Sequence, residues 1–217
     1  TGLFSVQVNA ALAAATLEAG GEIGHFPDKL KPRLDINFSS PDPSKVANFI
    51  GLPGIPAVPL SISGQAGFVD NRVQFDGVKI NLAGDTAAID GHINLTNRYS
   101  GSEANIHLDI ANVDQLALLF GQEGFPDQPL KLAAVVKPDG KGLNFKVGES
   151  NIGAIKLNFE GSIADLDELD GLDANFDVSL PRLSDISFLV PGTELPAAPF
   201  SAHGRVEMKD KKIRMDE

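Results

Sequence analysis

Apolar and polar side chains alternate along most of the chain with a period of two, which is the period of a half-buried β-strand. Leu34, Ile36 and Phe38, for example, alternate with Asp35 and Asn37. The same alternation recurs in later segments, which are 60–68, 73–82, 89–95, 106–110, 130–136, 143–147, 155–163 and 172–178. Each segment therefore has one aliphatic and one polar face, and short turns between them predict hairpin-connected antiparallel strands.

The pattern repeats after 70 residues. Three segments begin with proline followed by an apolar residue, and they lie 70 residues apart at Pro59-Leu60, Pro129-Leu130 and Pro199-Phe200. Upstream of each, a residue type that favours helix N-caps precedes about two apolar turns, at Ser44, Asp114 and Ser184. Gly51 and Gly121 follow the first two of these runs, so a short helix that ends at glycine is expected there.

This offset predicts a mainly β protein built from tandem antiparallel β-meander repeats of about 70 residues, each with one short helix. The resulting elongated sheet is expected to curve or to form a groove. The expected boundaries make 34–103 and 104–173 two repeats, 1–33 the end of a preceding repeat and 174–217 the start of a further one.

An aliphatic sheet face has to be covered by another layer or by a ligand. The predicted helices are too short and too few to cover it. Either the sheet folds over itself as a sandwich or flattened barrel, or it curls into a groove that stays open to an apolar ligand. Glycines at inward strand positions suit strong curvature, at Gly64, Gly91, Gly161 and Gly204.

Composition narrows the class of function. A hydrophobic fraction of 42% and a charged fraction of 22% are those of a folded globular protein. The net charge of −11 argues against a nucleic-acid groove and against electrostatic docking on anionic lipids. The chain has no cysteine, which excludes disulfides and thiolate chemistry, and no apolar run of about 18 residues predicts a membrane-spanning helix.

Candidate chemical motifs are few. His92 and His107, with Asp90 and Asp109, could form a metal-binding cluster on the polar side of a hairpin. The acidic stretch 165–173 hints at calcium but lacks the spacing of an EF-hand loop. Solvated polar turns explain both, and the common hydrolase, nucleotide and zinc-protease signatures are missing. We therefore expect no enzyme, no metal site and no cofactor.

The stretch Leu180 to Arg205, which contains Phe-Leu-Val-Pro-Gly-Thr-Glu-Leu-Pro-Ala-Ala-Pro-Phe, resembles repeats of the bacterial AsmA-like family. Val46 to Gly67 and Leu116 to Ala134 are similar to the same unit, with a short helix, a Gly/Pro loop and a Pro-aliphatic strand start. The resemblance implies β-meander repeats in the periplasm of Gram-negative bacteria, anchored in the inner membrane by a segment outside this chain. It also implies an aliphatic groove that moves phospholipids between the inner and outer membranes.

Pattern and resemblance together predict a segment that holds acyl chains of phospholipid or another lipid, with no nucleic-acid partner. Candidate lining residues are the inward apolar positions Ile62, Phe68, Val73, Phe75, Ile80, Ile89, Ile93, Leu132, Phe145, Ile155, Leu157 and Phe159. The main alternative is a structural or adhesive β-repeat with a closed dry core. A carbohydrate-active or metal-dependent enzyme is the third.

Overall fold

The computed structural model describes residues 3–12, 14–24, 31–51, 54–96, 99–166, 170–189, 192–209 and 212–216. The fold is mainly β, with 65% strand and 10% helix. The chain divides into two compact units, residues 1–96 and 97–217.

The first unit is an antiparallel meander in which each strand pairs with the next one along the chain. Its strands are β1 (Leu3–Leu12), β2 (Ala15–Gly24), β3 (Lys31–Ser40), β4 (Leu60–Val69), β5 (Arg72–Leu82) and β6 (Asp85–Asn94). Helix α1 (Pro43–Phe49) connects β3 to β4.

The second unit follows the same plan. Its strands are β7 (Glu103–Ile110), β8 (Leu130–Asp139), β9 (Gly142–Ile152), β10 (Ile155–Asp165), β11 (Asp170–Leu180), β12 (Phe200–Lys209) and β13 (Lys212–Asp216). Helix α2 (Val113–Leu119) connects β7 to β8, and a 3₁₀ helix (Leu183–Leu189) connects β11 to β12.

The 70-residue offset is structural. Helices α1 and α2 begin and end 70 residues apart, and so do β4 and β8, and β5 and β9. The glycines after the two helices share a left-handed conformation, with φ of 76° at Gly51 and 71° at Gly121. These bounds confirm the predicted meander of about 70 residues with one short helix, whereas the exact repeat boundaries stay a prediction.

The predicted helix caps were wrong by two residues. The N-caps are Asp42 and Asn112, not Ser44 and Asp114. In α2 the Asn112 side chain accepts a hydrogen bond from the Gln115 amide at 2.9 Å. In α1 the first helical residue is Pro43, which has no N–H to cap and a φ already suited to a helix. The third segment, after Ser184, is a 3₁₀ helix.

A β-bulge in each unit keeps the apolar face continuous. The β4–β5–β6 register shifts near Gly77, and the β8–β9–β10 register shifts near Glu149. The extra residue shifts the alternation by one position, so apolar side chains before and after the bulge lie on the same face of the sheet. The bulged amides are satisfied by the next strand: Gly77 N–H donates to Asp90 at 2.5 Å and Glu149 N–H donates to Asn158 at 2.9 Å.

Candidate functional site: an apolar sheet face in each unit

The structure places all seven predicted lining residues of the first unit on one face of its sheet. Residues directly opposite each other in an antiparallel pair point to the same side. Ile62 lies opposite Ile80, and Val73 lies opposite both Phe68 and Ile93. The remaining two, Phe75 and Ile89, lie opposite Ala66 and Val78.

Strands β1 and β2 extend this face, and the sequence reasoning missed them. Phe4 lies opposite Ile23, and Val8 lies opposite Ala19. The signal was present, since Phe4, Val6 and Val8 alternate with polar residues. The Ala-rich run that follows weakened the pattern.

The second unit gathers its five predicted lining residues in the same way. Leu132 lies opposite Leu108, and Leu157 opposite Val178. Phe159 lies between Val147 and Phe176. Phe145 lies opposite Val136 and Gly161, and Ile155 lies opposite Ile152.

Phenylalanine repeatedly lies opposite glycine on this face. The pairs are Phe75 with Gly91, Phe145 with Gly161, and Phe176 with Gly204. A Cβ atom at Gly161 would come within 2.2 Å of the Asp173 carbonyl oxygen and 2.5 Å of Ala174 Cα. The neighbouring strand therefore approaches too closely for any side chain there, and an aromatic side chain opposite compensates for the missing one.

Full burial is concentrated at the sheet end where the helices insert. Ile110, Ile155 and Leu180 are 7%, 6% and 4% exposed, and they end or begin strands next to α2 and the 3₁₀ helix. Ile155 thus belongs to a small dry core and offers little surface to a ligand. The other predicted lining residues are half-buried, except Ile93, which is exposed.

Over the described part of each unit, the apolar face is not fully covered by other residues of the same unit. Most apolar-face residues away from the helices are only half-buried, whereas residues between the two layers of a sandwich would be fully buried.

The opposite face of the sheet is polar and carries solvent-exposed ion pairs. In the second unit a hollow of about 760 Å³ is lined mostly by polar residues, and its charged residues are Glu103, Lys137, Lys146, Glu160, Asp173 and Arg205. Lys137 pairs with Glu103 at 3.0 Å, and Lys146 pairs with Glu160 at 2.9 Å. Each cation has a carboxylate partner, and such half-exposed pairs add little stability.

Arg205 makes the best-formed of these pairs. Its guanidinium donates to both carboxylate oxygens of Asp173, at 2.7 Å and 2.6 Å. These hydrogen bonds, and then the positive charge itself, hold the pKa of the Asp173 carboxyl below its usual value. The arrangement clamps β11 to β12, and because Arg205 also pairs with Glu207 at 3.0 Å, its guanidinium is not free to bind an anionic ligand.

Two of the candidate metal ligands, Asp90 and Asp109, have ordinary protein partners. Asp90 accepts the Gly77 amide of the bulge, and Asp109 pairs with Lys131 at 3.3 Å. In the acidic stretch, Asp165 pairs with Lys141 at 3.1 Å, and residues 167–169 lie outside the described ranges. Over the part of the chain that the structure describes, no group of three or more His, Asp or Glu side chains is placed to hold a metal ion.

No helix in the described ranges is long and apolar enough to cross a membrane. Comparisons with models of protein families, with curated proteins and with solved structures gave no match.

Proposed function

We propose that this chain is a periplasmic segment of an AsmA-like lipid-transfer protein and that its apolar sheet faces hold the acyl chains of phospholipids. The observation that carries the proposal is the aliphatic face of each unit, most of which is only half-buried over the residues that the structure describes.

The mechanism needs no reactive group and no cofactor. Each methylene moved from water onto an apolar surface contributes up to about 0.8 kcal/mol. The six described strands of the first unit are spaced by about 4.8 Å, so the face that they form measures roughly 24 Å across the strands. One acyl chain spans about 15 Å in half a bilayer, so it fits along such a face. The charged headgroup stays in water.

Native mass spectrometry of the chain purified from bacteria without detergent tests this function. We expect charge states that carry additional mass in steps that match phospholipids, and these should be removed by collisional activation. The control is the same chain refolded from denaturant without lipid, which should regain the mass increments after incubation with phospholipid vesicles.

The structural or adhesive alternative makes the opposite prediction. A chain that shows only its bare mass in every preparation, including after incubation with vesicles, would contradict the proposal.

A further inference from the structure

The loop that follows each helix carries exposed apolar side chains at corresponding places. In the first unit Ile50 and Ile55 are 59% and 39% exposed, and 70 residues later Phe120 and Phe125 are 49% and 48% exposed. The backbone also corresponds. Gly54 and Gly124 have φ of 90° and 86°, close to the match between Gly51 and Gly121. The two loops thus present a similar pair of side chains, and their glycines share left-handed conformations.

The two loops differ in polarity. From Phe49 to Pro59 the sequence contains no polar or charged side chain. The corresponding stretch from Leu119 to Pro129 contains Gln122, Glu123, Asp127 and Gln128. A solvent-facing loop normally carries polar residues, so a loop that lacks them throughout is suited to an apolar surrounding. Phe49, 75% exposed, adds to this patch at the end of α1.

We propose that the patch formed by Phe49, Ile50 and Ile55 inserts into the interface of a lipid bilayer. A protein partner would normally be met by a polar rim with about one hydrogen bond per 100–200 Å², and this loop has no side chain to supply one. Insertion between headgroups and acyl chains needs apolar area and no directional bond. Pro56 and Pro59 lack N–H groups, which lowers the cost of taking this backbone out of water.

The charge of the chain indicates which bilayer is suitable. The net charge is −11, and Lys45, the one basic residue of α1, is paired with Asp42 at 3.3 Å. Attraction to anionic headgroups therefore does not contribute. Binding should occur on zwitterionic phosphatidylcholine vesicles and should not change between low and high salt, because screening acts on charges only.

The test is flotation with phosphatidylcholine vesicles of the wild type and of two paired variants, Ile50→Asp/Ile55→Asp and its counterpart Phe120→Asp/Phe125→Asp. The first pair should weaken vesicle partitioning about tenfold or more, since each apolar side chain inserted contributes about that factor. The second pair, in the charged loop, should bind as the wild type does. All four positions are exposed, so the fold should be unchanged by circular dichroism.

A fluorescent reporter gives a second readout. The chain has no tryptophan, so Ile50→Trp and Phe120→Trp each introduce a single one. Vesicles should shift the emission at position 50 to the blue and leave position 120 unchanged.

Three results would overturn the inference. These are no flotation of the wild type, equal losses in both variants, or binding that requires anionic lipid and falls with salt. If the wild-type chain does not bind vesicles, the patch would instead be covered by an apolar surface of another protein. The inference does not depend on the proposed function, because the loop variant should keep any co-purified lipid.

Discussion

Phe145→Asp should leave the chain folded while removing its phospholipid. Phe145 lies on the apolar face, half-buried, between Val136 and Gly161. On an open face the new carboxylate stays hydrated, so the cost is mainly the lost contact of the ring, about 2 kcal/mol. A carboxylate placed among acyl chains would instead lose its water, so hydrocarbon should leave that part of the face. Thermal unfolding and lipid content by mass spectrometry measure the two effects.

Asn144→Asp is the matched control. It adds the same charge one residue earlier, where the side chain is exposed on the polar face, so stability and lipid content should both stay near wild type. Collapse of the fold in Phe145→Asp, with no lipid found in the wild type, would instead show that this face is a closed, dry core.

Gly161→Ala should strongly destabilise the second unit. The added methyl carbon would lie 2.2 Å from the Asp173 carbonyl oxygen and 2.5 Å from Ala174 Cα, and these backbone atoms move only if β10 and β11 separate. Overpacking of this kind costs about 3 kcal/mol or more. Chemical denaturation, followed by circular dichroism, measures the change.

Gly148→Ala provides the control on the neighbouring strand β9. A Cβ atom there meets nothing within 4 Å, so its stability should stay within about 1 kcal/mol of wild type. If the two variants prove equally stable, β10 and β11 do not approach closely at Gly161. The explanation of the Phe145–Gly161 pair would then also be wrong.

The fold was largely predictable because the sequence has two periodicities, the alternation of apolar and polar residues and the 70-residue repeat. The period of two predicted the faces of β3 to β11, and the 70-residue offset predicted the order of strands and helices. β1 and β2 were not predicted because residues 10–15, where the two strands meet, are all apolar and mostly alanine, which hides both the alternation and the turn. The start of α1 was predicted wrongly because Ser44 is a residue type that often caps helices. The helix begins one residue earlier, at Pro43, whose fixed φ suits a first helical position.

The bulges and the dry end of the sheet were not predictable from the repeat. The bulge lies at Gly77 in one unit and at Glu149 in the other, which departs from the 70-residue spacing. Its position depends on Asp90 and Asn158 across the strand pair, so it is a property of the pairing and not of one segment. Likewise, Ile155 has the pattern of a lining residue, and only the position of the sheet end near the helices accounts for its burial.

Photocrosslinking from two adjacent residues tests most directly whether lipid lies on the apolar face. Ile89 and Ala88 are neighbours in β6, both half-buried, and they point to opposite faces because Ile89 lies opposite Val78 and Ala88 opposite Lys79. With benzoylphenylalanine at position 89, irradiation in cells should attach phospholipid to the chain. The same residue at position 88 should attach little or none. Equal labelling at both positions, or labelling only at position 88, would contradict the assignment of the apolar face as the lipid-binding surface.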